Sequence, residues 1–240
     1  MEEAYLQVGR PETHEPAFRP DCGRTGAESG VCRARHPTLY VRTMIIVVSA
    51  LKGGVGKTTT SIYLAALAAA RRPATLIDSD PQASAADWLE NAEDEFLERV
   101  TLVEAPTDRL LLKALDRIEA EEVAVVDTPP GNERLLAKAI ERADVVIVPT
   151  RIGGVETARV EAVLDLVPRK TPVGLVISSA RTYTRDYQDV VAAWVEANVE
   201  VWGTVPERVT IAAGPEAALA PDGIDAYRTV WRRALRATRE

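Results

Sequence analysis

Cysteine is almost missing from this chain: Cys22 and Cys32 are the only two, and none occurs from residue 44 onward. Two such residues supply no disulfide framework for a protein of this size. Long apolar runs are missing too, so no segment has the length of a membrane span. The opening residues lack the basic-then-apolar layout of a secretory leader, and the chain is accordingly read as cytoplasmic. Nor is there an excess of positive charge. The net charge is −7, so affinity for nucleic acid has to come from a local patch rather than from the whole surface. Histidine is confined to His14 and His36. With the two cysteines they could frame a zinc site, but the close C-x-x-C pair of such sites is missing, and none is expected.

Against these absences stands a chain of 240 residues, 46% hydrophobic and 27% charged, enough for one large α/β domain with an ample core. Residues 1–43 differ from the rest: Pro and Gly are scattered, no apolar period is sustained, and six acidic residues balance six basic ones. They are expected to be a disordered extension. Met44 directly precedes the first strand, so a start at that residue would remove them. From Met44 onward strands and helices alternate. Strands are predicted at 44–49, 74–78, 100–104, 122–127, 144–149, 172–178 and, more weakly, 200–206. Helices are predicted from the loop at 52–57 to Pro73, then near 83–97, 108–120, 132–142, 155–167, 185–197 and 223–239. Continuous Val/Ile-rich strands separated by helices imply a doubly wound, mostly parallel sheet flanked by helices on both faces. Crossovers should be right-handed, with ligand at the carboxyl ends of the strands.

After the first strand comes "SALKGGVGKTTT". The usual phosphate-loop pattern G-x-x-x-x-G-K-[ST] fails on it, because Leu51 stands where the first glycine belongs. The rest is in place. Gly53, Gly54 and Gly56 let successive backbone N–H groups turn toward one anion, with Val55 between them. The helix that follows adds its free N–H groups and positive dipole end, including those of Thr58 and Thr59. Lys57 can reach the β/γ-phosphates, and the Thr58 hydroxyl is placed to ligate Mg²⁺. This is the layout of a P-loop NTPase. Lys52, five residues before Lys57, is left over.

"KGGVGKTT" resembles the deviant phosphate loop of the ParA/MinD ATPases, whose first lysine is the family's signature. The resemblance implies that Lys52 crosses the interface of an ATP-dependent homodimer and touches the partner's bound phosphates. Positive charge placed on developing phosphoryl charge accelerates transfer, as an arginine finger does. "LIDSDPQAS" (76–84) resembles the family's second motif. Asp78 and Asp80 fall two apart in an extended segment and share a face, and Pro81 disfavours helix at Asp80. The resemblance makes Asp80 the residue that positions the attacking water and puts Asp78 just outside the metal's own ligands. "VAVVDTPPG" (123–131) resembles the Walker B strand, with Asp127 at its end to hold a Mg²⁺-bound water and Thr-Pro-Pro-Gly to sense the γ-phosphate. Later, "TVPERVTIAAGPEAALAP" (204–221) is similar to a segment bordering the adenine, which implies that Pro206 and Arg208 neighbour the base. One departure stands out: where many relatives carry an Asn near the base, this chain has Ser178-Ser179-Ala180. ATP as the nucleotide therefore rests on the family.

The resemblance covers residues 44–240 and implies several uses for one engine. MinD-type relatives end in a membrane-gripping amphipathic helix. Here residues 223–239 carry Ile224, Tyr227, Trp231 and Leu235 on one stripe, suited to docking on the protein body. Arg228, Arg232, Arg236 and Arg239 lie on an adjacent stripe with Arg233 beyond, suited to phosphate backbones. The expectation is non-specific DNA binding and nucleoid association, with no membrane contact. Residues 1–43 are too short and aperiodic for a recognition-helix module. A short ParA-type partition ATPase is thus the first reading: ATP-driven dimerisation creates a DNA-binding state, and a centromere-binding ParB-like adaptor stimulates hydrolysis and release. Positioning of another cargo, or a conjugation accessory role, is the second. A metabolic enzyme of the same superfamily is the third; its iron–sulfur members need cysteines that residues 44–240 lack, and ligase members need a substrate pocket that is not recognisable here. Dispersed tyrosines disfavour a tyrosine-kinase relative.

Overall fold

The computed structural model describes residues 42–153, 156–208, 210–211 and 218–239. The expected extension and the His/Cys group within residues 1–41 lie outside the described residues. The compact unit that holds every described element runs from Tyr40 to Glu240. Arg42 and Thr43 already belong to it: the Arg42 guanidinium lies 2.7 Å from Asp144, and Thr43 Oγ1 donates to Glu119 O at 2.9 Å. The body therefore begins ahead of Met44.

Seven strands form one sheet: β1 (Met44–Val48), β2 (Ala74–Asp78), β3 (Val100–Glu104), β4 (Val123–Asp127), β5 (Val145–Thr150), β6 (Val173–Ala180) and β7 (Val201–Pro206). Their order is β3-β2-β4-β1-β5-β6-β7, and every pairing is parallel. The helices are α1 (Lys57–Ala69), α2 (Ser84–Asn91), α3 (Asp108–Leu115), α4 (Glu133–Arg142), α5 (Glu156–Leu164), α6 (Arg185–Glu196) and α7 (Pro221–Ala237). The sheet is buried on both faces because alternate residues of each strand point opposite ways. Ile46 and Val48 join α1, α2 and α7 in one core. Val47, Val126 and Val148 join α3, α4, α5 and Trp194 of α6 in the other.

Several helix boundaries depart from the pattern in the sequence: α3, expected over 108–120, already ends at Leu115, and α5, expected over 155–167, at Leu164. The stretch expected as one helix over 83–97 stops at Asn91, and a 3₁₀ turn follows at Leu97–Arg99. Asp94 redirects the chain there: its carboxylate accepts from Phe96 N and Leu97 N, at 2.9 and 3.3 Å. The last helix begins at Pro221 rather than 223, with proline in its first turn where a missing N–H costs nothing. α7 lies directly on β7. A Cβ at Gly203 would stand 2.4 Å from Val230 Cγ2, so only glycine admits the helix at that spacing. Gly223, Tyr227, Val230, Trp231 and Ala234 are its buried residues, while Ile224 and Leu235 are half-buried at the flank.

β1 is central, and the chain leaves it first toward β2 and later, after β4, crosses to β5. The carboxyl end of β1 is thus where the winding reverses, the position at which such sheets leave a crevice for ligand.

Candidate nucleotide-binding site

The loop between β1 and α1 fills that crevice. Gly54 and Gly56 adopt left-handed backbone conformations, with φ of +73° and +91°. Gly56 is the N-cap of α1 and offers no side chain to it, so the helix starts without a side-chain cap. The first helical hydrogen bond runs from Thr60 N to Gly56 O at 2.9 Å, which leaves the N–H groups of the first turn without intrahelical partners. Such an end suits an anion. Gly53 and Gly54 are exposed, Thr59 is half-buried, and Val55 is buried at 1% exposure, anchoring the loop from within.

Lys57 is 7% exposed, and its Nζ donates to the carbonyl of Lys52 at 3.2 Å. Burial pushes its ammonium below the ordinary lysine value, while the Asp127 and Asp80 carboxylates pull it back. A buried cation aimed along a glycine loop is suited to a polyphosphate. Lys52 is half-buried on the loop, and its backbone shares that contact with Lys57.

Behind the loop the side chains converge on Asp127. Thr58 Oγ1 donates to Asp127 Oδ2 at 2.8 Å, and Ser61 Oγ donates to Oδ1 at 3.0 Å. Burial pushes this carboxyl up to about 7; the Asp78 charge adds to the rise, and the two hydroxyls and Lys57 oppose it. A hydroxyl and a carboxylate in contact, both hard oxygen donors, fit Mg²⁺ with waters completing its shell. Asp78 is employed differently. Its Oδ2 accepts from Ala85 N and Ala86 N, and its Oδ1 from Asp80 N, all at 2.9–3.0 Å. It therefore tethers the start of α2 and shapes the loop that presents Asp80. Asp80 is half-buried, with Oδ1 accepting from Gln82 N at 2.9 Å.

Several polar side chains of the site have partners that no sequence pattern indicated. Ser79 Oγ donates to Asp127 O at 2.6 Å, Thr128 Oγ1 to Val48 O at 2.9 Å, and Ser178 Oγ lies 2.5 Å from Val55 O. Ser61 was not singled out in the sequence, although its place three residues after Thr58, on the same face of α1, was a signal. Pro206 ends β7 opposite Ala180. Arg208 reaches back to Asp222 at 3.6 Å, and most of the segment that follows it lies outside the described residues.

The arginines of α7 are all exposed, and they border two different hollows. Arg228, Arg232 and Arg239 join Arg71 around a groove of about 420 Å³ floored by Phe96, Trp231 and Leu235. Arg233 and Arg236 border another hollow, of about 920 Å³, shared with Arg169, Lys170 and Glu200. Arg228 is paired with Asp225 at 2.6 Å, and Arg233 donates to Val201 O at 2.7 Å. Among the described residues no helix is long and apolar enough to cross a membrane.

Fold and loop together define a P-loop nucleotide-binding protein. Residues 46–220 match the family described as "CobQ/CobB/MinD/ParA nucleotide binding domain". The chain belongs to that family and is a nucleotide-binding ATPase of its ParA/MinD branch. It is 38% identical to the maintenance of carboxysome distribution protein A of Gloeobacter kilaueensis over 44% of this chain and 48% of that protein, about half its length. It is 28% identical to the chromosome-partitioning ATPase Soj of Thermus thermophilus over 84% of this chain and 99% of that one. A plasmid partition protein from Borrelia burgdorferi shares the fold with a TM-score of 0.64 at 20% identity, over 81% of this chain and 99% of that chain.

Proposed function

We propose that this ATPase is a ParA-type partition motor: it dimerises on ATP, binds DNA without sequence preference, and moves plasmid or chromosome DNA with a centromere-binding, ParB-like adaptor. The observation that carries the reading is Lys52, whose carbonyl is held by the phosphate lysine of its own loop. That contact holds the Lys52 backbone beside the phosphate lysine, which supports a reading in which the Lys52 side chain serves a neighbouring subunit. In this scheme Lys57 and the α1 amides bind the β- and γ-phosphates, Asp80 orients the attacking water, and Lys52 of each protomer reaches the triphosphate of the other. Thr58 and Asp127 hold Mg²⁺, which when bound neutralises charge on the phosphates. Pro206 and Arg208 border the base. The α7 arginines supply phosphate contacts for DNA, and the protein works in the cytoplasm on the nucleoid. Relatives named for chromosome partition and for carboxysome distribution support a shared motor with different cargoes. A partner gene for a small DNA-binding protein would separate the first cargo from the second.

Sedimentation with and without a non-hydrolysable ATP analogue tests the motor. The wild-type protein should become a dimer with the analogue and should be retained on DNA only in that state. Lys52→Ala should still bind nucleotide as a monomer but lose dimerisation and turnover. If Lys52→Ala hydrolyses ATP like wild type, the role in trans is wrong.

A further inference from the structure

Ser178 lies on β6, far from the loop in sequence, and is 6% exposed. Its Oγ stands 2.5 Å from the carbonyl oxygen of Val55 and 3.0 Å from that of Thr150. A serine hydroxyl has one proton to donate, and the shorter contact directs it to Val55. The carbonyl of Val55 and the N–H of Gly56 belong to the same peptide unit. The described chain has no cis peptide bond, and in a trans peptide the C=O and N–H point in opposite directions. A hydroxyl that holds the Val55 carbonyl against the sheet therefore turns the Gly56 N–H the other way, into the concave side of the loop. Gly56 fits the arrangement: its φ is +91°, and a Cβ there would meet Ser178 Cβ at 3.4 Å. The space would admit a Cβ; it is the positive φ that favours glycine here.

We propose that Ser178 is a positioning residue for the phosphate loop, fixing the Val55–Gly56 peptide plane so that the Gly56 N–H faces the bound polyphosphate. This rests on the reading of residues 52–58 as the phosphate cradle. It also gives Ser178 a different task from reading the base, which its position at the end of β6 would otherwise suggest. A preset amide binds an anion without first paying to reorient, whereas a free peptide plane samples orientations that turn the carbonyl inward, where it repels phosphate.

The experiment compares wild type, Ser178→Ala and Lys57→Ala in the full chain, with fluorescent ATP displaced by ATP and by inorganic tripolyphosphate, which has no base. Melting temperatures are followed to confirm that each variant is folded at the assay temperature. Ser178→Ala should weaken ATP and tripolyphosphate by the same factor, about tenfold, the scale of one buried hydrogen bond. KM for ATP should rise in step, with kcat at saturation changed less than about threefold, because the lost preorganisation acts on binding. A loss for ATP without a loss for tripolyphosphate would make Ser178 a base contact and overturn the proposal. Wild-type affinity in Ser178→Ala, while Lys57→Ala loses nucleotide, would also overturn it. Wild-type affinity in Lys57→Ala would instead remove the cradle reading beneath it.

Discussion

Around the carboxyl ends of β1, β2 and β4 the polar side chains turn inward, whereas along α7 the cations turn outward. Thr58, Ser61 and Ser79 all end on Asp127, and Asp78 ties down three amides, so the first region is a buried network in which each group depends on the next. The arginines of α7 touch a surface aspartate or a strand-end carbonyl, and are otherwise carried on a helix held by apolar contacts. In the first region a single substitution should disturb chemistry and stability together. In the second the two should separate, because charge is displayed on a scaffold that does not need it.

Asp127→Asn should give the largest effect and the sharpest form of that contrast. Turnover should fall about 100-fold, as losing a group that orients a metal's ligands does. Stability of the nucleotide-free protein should move the opposite way. The folded-state pKa of about 7 lies above the ordinary 3.8, so the folded protein prefers the protonated carboxyl. Keeping it ionised costs stability that is absent below about pH 4, grows between about pH 4 and 7, and is constant above. Removing the charge should stabilise the protein at pH 8 by at most on the order of 4 kcal/mol and raise Tm by about 5 °C or more, with no gain at pH 4. A lower Tm at pH 8 would show that the hydrogen bonds to the carboxylate outweigh its burial.

Gly203→Ala probes the scaffold beneath the arginines. The added Cβ has 2.4 Å to Val230 Cγ2, so α7 must shift. Overpacking of this kind costs about 1–3 kcal/mol. Thermal melting should show the loss while nucleotide affinity stays at the wild-type value. A melting curve identical to wild type would mean that α7 rides loosely on β7.

These two regions were not equally legible in the sequence. The strands could be read to within two residues at either end because each is a Val/Ile run bounded by turn residues, and a fully buried parallel sheet imposes that composition. The loop could be read because its spacing alone carries the chemistry. What escaped were the partners of side chains that meet across long stretches of chain: Ser79 meets Asp127 across 48 residues, Thr128 meets Val48 across 80, and Ser178 meets Val55 across 123. Serine and threonine are common in turns and strands, and only tertiary adjacency gives these ones a task. The tether from Asp78 to the start of α2 was not legible, since it depends on where that helix starts. On α7 the helical period put the arginines on neighbouring faces, but it could not tell that Arg71 waits on one flank and Arg169 with Lys170 on the other.

That division of α7 leads to the smallest effect, and to a test of which flank meets DNA. The hollow holding Arg233 and Arg236 gathers four cations. The other groove gathers four as well, but Asp225 already occupies Arg228, whereas Glu200, the one acid of the hollow, accepts from Trp202 Nε1. If the proposed DNA binding uses the hollow, Arg233→Ala with Arg236→Ala should flatten the salt dependence of binding by about 2, each phosphate contact adding about 0.9 to the slope. Arg228→Ala with Arg232→Ala should flatten it by about 1 or less. Binding would be measured with the ATP analogue present across a range of salt, and melting would check the loss of the Arg233 bond to Val201. Equal changes from the two pairs would place DNA across the whole helix. No change from either would reduce these arginines to ordinary surface charge and move the search for the DNA-binding face elsewhere on the molecule.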